Sequence, residues 1–211
     1  IETELRPAES AAMTDETGLG FYSQPPFNPG IHDLRDRRDQ MGVRTFVNTV
    51  ETLANPADAD VHLGSFYHLA FAKKVCVTFD RSETSDVDRV IMFQGMEGYD
   101  DIRPGYTKVA EWRASGEFDD YEVETEEYGM EFDREDLEVD PTDVAGDSAQ
   151  ITETVLAGER DDGFADAIAL NAAFRIYAGG DADTIDEGLA TARDVLASGA
   201  AADVLAACRD R

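Results

Sequence analysis

The strongest constraint in the sequence is an apolar run that opens into a loop with spaced glycines. The run Val90–Phe93 has the length and β-branched content of a buried strand, and Gly95 and Gly98 follow it closely. Two adjacent acids, Asp100 and Asp101, come next. Loops beyond the carboxyl ends of strands in α/β proteins commonly carry ligands. The pattern therefore predicts a buried strand that ends in a loop bearing two carboxylates.

The rest of the chain predicts an α/β fold within one domain over residues 1–211. Apolar periodicity, turn residues and alternation give these expected elements: a helix over 7–17, an irregular proline-rich stretch over 21–30, a helix starting from Ser65, a strand over 89–94, an antiparallel hairpin within 106–130, and helices over 147–211. Gly179, Gly180 and Gly199 are expected at helix C-termini. The order predicts a mixed, mostly parallel sheet flanked by helices, with an antiparallel hairpin and a helical C-terminus.

The charge composition is strongly acidic. The chain carries a formal net charge of −28 at pH 7, and its lysines are only Lys73, Lys74 and Lys108. Such a surface is typical of proteins that stay hydrated in high salt, where repulsion is screened within about 3 Å at 1 M. We therefore expect a halophilic, haloarchaeal source; a surface shaped to meet a cationic partner is the alternative. Binding to a nucleic-acid backbone is disfavoured by this charge.

Cysteine usage and hydropathy suggest the compartment. Cys76 and Cys208 each lie in an apolar helical pattern, which favours free thiols in a reducing environment. The sequence has no apolar stretch long enough to span a membrane and no basic-then-apolar leader, so we expect a cytoplasmic protein. The chain begins at Ile1, and we expect it to be a fragment.

The acids Asp100 and Asp101 support two interpretations. Adjacent carboxylates on a loop can hold Mg²⁺, which prefers oxygen ligands and usually keeps waters and a substrate phosphate. They can also be a solvated turn, because 46 of the 211 residues are Asp or Glu. The residues alone leave both interpretations open.

Arginines cluster in the segment that follows the prolines. Arg38 and its neighbours Arg35, Arg37 and Arg44 could bind a carboxylate or phosphate through the guanidinium fork. Interleaved aspartates favour simple ion pairing for Arg35 and Arg37. The three histidines lack metal-ligand spacing, so the sequence yields no catalytic residue.

Four segments in order carry a resemblance to a known family: "GFYSQPPFNPG", "RRDQMGVRTFVNTVETLANP", "FQGMEGYDDIRPGYTKVAEW" and "DAIALNAAFRIYAGGDADTIDEGLATARDVLASGAA". Together they resemble the C-terminal two thirds of anthranilate phosphoribosyltransferase. The resemblance covers nearly the whole chain, and shared order across four segments is more specific than any one of them. The family's glycine-rich diphosphate loop and N-terminal helical lobe are expected to lie outside this chain.

The resemblance implies a function and a site. It implies the catalytic-domain fold of nucleoside phosphorylases and phosphoribosyltransferases, and Mg²⁺-assisted transfer of phosphoribosyl from phosphoribosyl pyrophosphate to anthranilate in tryptophan biosynthesis. Asp100 and Asp101 match the magnesium-binding acids, Arg38 matches an arginine of the anthranilate site, and Pro25 matches a loop proline beside it. A homodimer is implied for the full-length protein.

The chain also departs from the family pattern. Asn28 stands where the family has a histidine, and Glu51-Thr52 stand where it has Gly-Pro. An anionic Glu51 near the acceptor would repel a carboxylate, which puts anthranilate in question as the acceptor. The alternatives are a different acceptor, or a non-catalytic paralogue that binds nucleic acid or a protein partner.

Overall fold

The structure is a computed structural model that describes residues 1–42 and 52–210, apart from the side chains of Arg38 and Glu97. Its helices are α1 (Pro7–Thr17), α2 (Gln24–Phe27), α3 (Pro29–His32), α4 (Arg35–Met41), α5 (Leu69–Asp80), α6 (Val144–Leu156), α7 (Gly163–Gly179), α8 (Ile185–Ser198) and α9 (Ala200–Arg209). Its strands are β1 (Val61–Ser65), β2 (Arg89–Phe93), β3 (Tyr106–Arg113) and β4 (Phe118–Glu124). Arg44 of the arginine cluster and Glu51, which is expected near the acceptor, both lie outside the described residues.

The chain groups into two compact units. One contains Ile1–Ala59 and Asp203–Arg211, and the other contains Asp60–Ala202. The first is built from short helices, and the second holds the sheet. The expectation of one domain over 1–211 stays a prediction.

Helix α1 of the first unit confirms the predicted helix over 7–17. Pro7 opens it, where a missing N–H costs nothing. Gly18 ends it in the left-handed conformation, and its N–H donates to the Thr14 carbonyl at 2.8 Å. Met13 is buried on the inner side of this helix.

The proline-rich stretch is more ordered than the sequence suggested. An irregular segment was expected over residues 21–30, and this was wrong, because α2 and α3 lie there. Each begins with proline in its first turn, where the ring fixes a helical φ and no N–H is required. Prolines that prevent a long helix therefore start two short ones.

The second unit contains a four-stranded sheet of order β1-β2-β3-β4. Strands β1 and β2 are parallel, with Val61 opposite Arg89 and Ser65 opposite Phe93. The pairs β2–β3 and β3–β4 are antiparallel. The mixed sheet and the predicted hairpin are confirmed. The expectation that the sheet is mostly parallel is wrong for the described strands, where one pairing is parallel and two are antiparallel, because the hairpin supplies half of the strands.

The expected helix start at Ser65 was wrong. Ser65 ends β1, and the next N–H, from Phe66, donates to the Phe93 carbonyl at 2.9 Å. The helix begins only at Leu69. Helical spacing of apolar residues extended back to Phe66, but pairing with β2 satisfies the backbone of this segment and holds it extended.

One face of the sheet packs against α7. Ile91 and Phe93 of β2 join Ala173 and Phe174 of α7 in one buried cluster. The rings of Phe93 and Phe174 meet edge to face, with centroids 5.5 Å apart. This contact fixes α7 over the strand that leads into the acidic loop.

The opposite face of the sheet packs against α5. His62 alternates with Val61 and Leu63, which face the α7 cluster, so its ring points the other way and lies 4.7 Å from that of Phe79 on α5. Cys76 is buried in the same helix, and burial raises the pKa of its thiol to about 11. The sheet thus has helices on both faces.

The C-terminal residues form helices as expected. Gly180 and Gly199 adopt the left-handed conformation just after α7 and α8, whereas Gly179 is the last residue of α7. Cys76 and Cys208 are both free and buried. Within residues 1–42 and 52–210, no helix has both the length and the apolar character needed to cross a membrane.

A buried ion pair joins β2 and β3 beneath the end of α7. Arg89 contacts Glu111 at 2.8 Å, and both side chains are less than a tenth exposed. The Arg89 guanidinium also donates to the carbonyls of Tyr177 (2.7 Å) and Ala178 (3.2 Å), which end α7. Arg113 adds a second contact to Glu111 at 2.7 Å. The pair therefore fastens the C-terminus of α7 to the centre of the sheet.

Replacing Glu111 by glutamine should lower the free energy of unfolding by about 3–5 kcal/mol, because the Arg89 charge would stay buried without its counter-charge. Glu122→Gln is the matched control, since Glu122 pairs with Lys108 at 3.3 Å while both side chains are half exposed. That variant should lose no more than about 1 kcal/mol. Denaturant unfolding measures both, and equal losses would contradict a special role for the buried pair.

Candidate metal and acceptor sites

The acidic loop begins where β2 leaves the sheet. The Gln94 N–H still donates to the Lys108 carbonyl at 2.8 Å, and its side-chain amide donates to the Tyr67 carbonyl at 2.8 Å. A single 3-10 turn, Met96–Gly98, then reverses the chain. The loop is therefore anchored on both the β1 and β3 sides before it reaches the acids.

Gly95 is required for space. Its φ is −76°, which any residue adopts, but a Cβ there would lie 1.8 Å from Asp101 Oδ1 and 2.3 Å from the Tyr99 carbonyl. The Asp101 carboxylate is folded over the glycine, and its Oδ1 accepts the Met96 N–H at 2.9 Å. The first loop glycine therefore makes the room that Asp101 occupies.

Gly98 is required for both space and conformation. Its φ is 85°, in the left-handed region, and a Cβ there would lie 2.4 Å from the Tyr67 ring. An L side chain would strain the turn and collide with the ring. The glycine spacing noticed in the sequence thus has a direct steric cause at each position.

Helix α7 holds the other end of the loop through Asn171. The Asn171 side chain accepts the Ile102 N–H at 2.9 Å and donates to the Ile102 carbonyl at 3.3 Å. Ile102 itself is buried. This pair of hydrogen bonds positions the backbone directly after Asp101.

Asp100 is paired with Arg175, one helical turn beyond Asn171. Arg175 Nη2 donates to the Asp100 carbonyl at 2.7 Å and to its Oδ2 at 3.2 Å. The Asp100 side chain is 50% exposed and that of Arg175 39% exposed. Asp100 is therefore reachable from solvent but held by a cation of the same unit.

The electrostatics of the acid pair differ from those of a solvated turn. Burial raises the pKa of Asp101, hydrogen bonds from Met96 and from its own backbone oppose this, and the neighbouring Asp100 carboxylate adds to it. Burial also lowers the pKa of Arg175, with the two carboxylates acting in the opposite direction. Arginine nevertheless stays protonated. The two carboxylates and the guanidinium thus lie close enough to act on one another electrostatically.

The donor chemistry of this group fits Mg²⁺. Magnesium is commonly held by one or two carboxylates together with waters and substrate phosphates. Among the described residues there is no cluster of three or more His, Cys, Asp or Glu side chains that could hold a metal. Asp100 and Asp101 therefore suit a cation that arrives with other oxygen ligands better than one needing a full protein cage.

The predicted acceptor residues lie in the first unit. Asn28 lines a cavity of about 360 Å³, together with Tyr22, Gln24, Phe27, Ala54, Asn55 and Pro56. The rings of Tyr22 and Phe27 meet edge to face, with centroids 5.1 Å apart. Pro25 lies in α2 between two of these residues, and Arg38 lies on α4, with its side chain outside the described part of the chain.

Asn55 lines this cavity but is engaged by its own turn. Its side-chain amide donates to the Ala59 carbonyl at 2.9 Å, and its Oδ1 accepts the Ala59 N–H at 3.0 Å. The end of the "LANP" segment is therefore a structural turn. The described lining offers amides and aromatic rings, and none of its side chains is charged.

Comparison with known proteins identifies the family. The family model described as "Glycosyl transferase family, a/b domain" matches residues 1–202. The chain belongs to this glycosyl transferase family. The family resemblance seen in the sequence is thereby confirmed, while a haloarchaeal source stays a prediction.

Curated relatives of this glycosyl transferase chain are anthranilate phosphoribosyltransferases. That of Chromohalobacter salexigens is 34% identical over 199 residues, covering 94% of this chain and 56% of the relative. That of Burkholderia mallei is 28% identical over 202 residues, covering 95% of this chain and 57% of the relative. The chain thus spans a little more than half the length of the curated relatives it matches.

Solved structures confirm the predicted fold class. Anthranilate phosphoribosyltransferase from Thermus thermophilus aligns with a TM-score of 0.81 at 28% identity, covering 99% of this chain and 61% of that one. The Saccharomyces cerevisiae enzyme, in a complex with PRPP and Mg, aligns with a TM-score of 0.82 at 18% identity, covering 98% of this chain and 58% of that one. The yeast likeness is one of fold alone.

Two residues that hold the acidic loop, Asn171 and Arg175, are not predicted from the sequence. The stretch "LNAA" belongs to the family resemblance, but the sequence pattern gives its asparagine no role. A signal was present, because Asn171 and Arg175 are four residues apart on one helix and so share a face in an otherwise alanine-rich segment. Which loop they meet could not be read from that spacing.

Replacing Gly95 by alanine should lower the free energy of unfolding by about 1–3 kcal/mol, because backbone oxygens as well as Asp101 would have to move. Gly179→Ala is the matched control, since the nearest atom to a Cβ there is Asp181 Oδ2 at 3.8 Å and the residue is helical. That variant should be neutral or gain up to about 1 kcal/mol. A Gly95 variant as stable as the control in denaturant unfolding would show that the loop is not tightly packed.

Proposed function

We propose that the protein transfers the phosphoribosyl group of phosphoribosyl pyrophosphate to anthranilate in tryptophan biosynthesis, with Mg²⁺ held by Asp100 and Asp101. The observation that carries the proposal is the built geometry of the acid pair. Asp101 is folded over Gly95 and Asp100 is held by α7, whereas a solvated turn would need neither. Family membership and the anthranilate phosphoribosyltransferase relatives support the same reaction.

The chemistry required is displacement at the anomeric carbon of ribose. The bond to the pyrophosphate oxygen breaks, a bond to the amine nitrogen forms, and the amine loses a proton. When bound, Mg²⁺ would neutralise charge on the departing pyrophosphate. The role of the protein is to place the carboxylates and to orient the acceptor. Holding the two reactants close together supplies much of the rate enhancement.

The acceptor site is proposed at the cavity that Asn28 lines. Tyr22 and Phe27 offer flat apolar contact for an aromatic ring, and the amide of Asn28 offers hydrogen bonds. A carboxylate on the acceptor needs a cation, and Arg38 is the proposed one, since the described lining is neutral. An acceptor without a carboxylate is the alternative, which the neutral lining favours.

Replacing Asp100 by asparagine should reduce Mg²⁺-dependent release of pyrophosphate by the intact protein about tenfold or more, because one charged ligand is lost. Asp119→Asn is the matched control: Asp119 and Asp120 are also adjacent acids, but both are exposed on β4. Its turnover should equal that of the wild type. Undiminished turnover by the Asp100 variant at limiting Mg²⁺ would refute the metal role.

Replacing Arg38 by glutamine should raise KM for anthranilate about tenfold or more and leave KM for phosphoribosyl pyrophosphate nearly unchanged, because a charge-assisted hydrogen bond contributes about 1.5–3 kcal/mol. Arg37→Gln is the control, since Arg37 is exposed on the same helix. Steady-state kinetics with each substrate varied separates the two constants. Equal KM values for the Arg38 variant and its control would point to an acceptor without a carboxylate.

A further inference from the structure

Both terminal nitrogens of the Arg175 guanidinium donate hydrogen bonds at the acidic loop. Nη2 contacts the carbonyl and carboxylate of Asp100, and Nη1 donates to Asn171 O and Oδ1, each at 3.2 Å. The group also lies over the Phe93 ring, 5.5 Å from its centroid. Aromatic packing and four hydrogen bonds hold the cation in one place. The Arg175 side chain is 39% exposed, about half the exposure of Arg6 in its pair with Glu9.

The position of this charge matters for the acids. Asp100 and Asp101 are neighbours in the chain, and two carboxylate charges so close together repel each other. The Arg175 guanidinium, held by its hydrogen bonds to Asp100 and Asn171, places a positive charge beside the two acids and offsets that repulsion. The same positive charge repels an incoming divalent cation and occupies one oxygen, Asp100 Oδ2.

We infer that Arg175 is a resident counter-ion of the acid pair, which keeps Asp100 and Asp101 in place but weakens their binding of a free divalent cation. The inference rests on the proposed function, because it takes the two aspartates as metal ligands. A cation that arrives with a diphosphate brings negative charge with it, and that charge is attracted to the guanidinium. Arg175 thus favours binding of the metal together with the diphosphate over binding of the metal alone.

A purely structural role is the competing explanation, since Arg175 also ties α7 to the loop. Charge and packing can be separated by substitution. Arg175→Gln and Arg175→Met both remove the charge, and the first keeps a hydrogen-bond donor. Arg175→Lys keeps the charge and loses the planar fork. If the charge of Arg175 matters, Arg175→Lys should bind metal as the wild type does. If only the packing of Arg175 matters, Arg175→Lys should behave like the neutral variants.

The test is direct binding of Mn²⁺ to the intact protein, followed by electron paramagnetic resonance without any substrate. Both neutral variants should bind Mn²⁺ roughly tenfold more tightly than the wild type, because a unit charge at a few ångström repels a dication appreciably even in a water-like dielectric. Arg175→Lys should bind close to the wild type. Arg193→Met is the matched control, since it removes the same charge from an exposed pair with Asp166 at 3.3 Å, and it should bind like the wild type.

A second measurement uses the Mn²⁺–pyrophosphate complex as the probe. The neutral variants should show no gain for this complex, or a loss, because the guanidinium then attracts the diphosphate. Neutral variants that bind Mn²⁺ alone no more tightly than the wild type would overturn the inference. The proposed metal site would survive that result provided that Asp100→Asn loses Mn²⁺ binding. If Asp100→Asn binds Mn²⁺ as the wild type does, the metal site and the inference fall together.

Discussion

The docking of helix α7 across the sheet is the constraint on which the rest of the second unit depends. Phe174 meets Phe93 edge to face in the core, and the middle and the C-terminal part of the same helix then make polar contacts in two directions. Towards the loop, Asn171 and Arg175 hold the backbone and carboxylate around Asp100. Towards the hairpin, its last carbonyls accept from Arg89. A rigid helix therefore transmits the geometry of the core to the acidic loop.

The acid pair stands out from its background only through its surroundings. Asp119 and Asp120 are equally adjacent but exposed on a strand. Asp101, in contrast, sits where Gly95 leaves space and accepts a backbone N–H, and Asp100 faces a guanidinium. In a chain of formal net charge −28, placement rather than abundance distinguishes the two carboxylates that we propose as metal ligands. The distinction is geometric and is made by two glycines and one helix.

Each of the two compact units contributes one of the proposed sites. The unit with the sheet supplies the acid pair, and the unit of short helices supplies the neutral, aromatic cavity that Asn28 lines. Family membership supports assigning both to phosphoribosyl transfer, and the chain covers a little more than half of the relatives that perform it. Prolines that the sequence suggested would break structure instead start α2 and α3 beside that cavity.

The sequence by itself determined the strand at Arg89–Phe93, the hairpin, the C-terminal helices, the glycine spacing and the family, because these follow from local periodicity, turn chemistry and ordered motifs. Strand β1 was missed, since its backbone is held extended by pairing with a strand more than twenty residues away. Only the tertiary structure decided that Arg175 faces Asp100 and that Arg89 pairs with Glu111. Such contacts join residues distant in the chain, and they form only when burial of the apolar faces brings helix and sheet together.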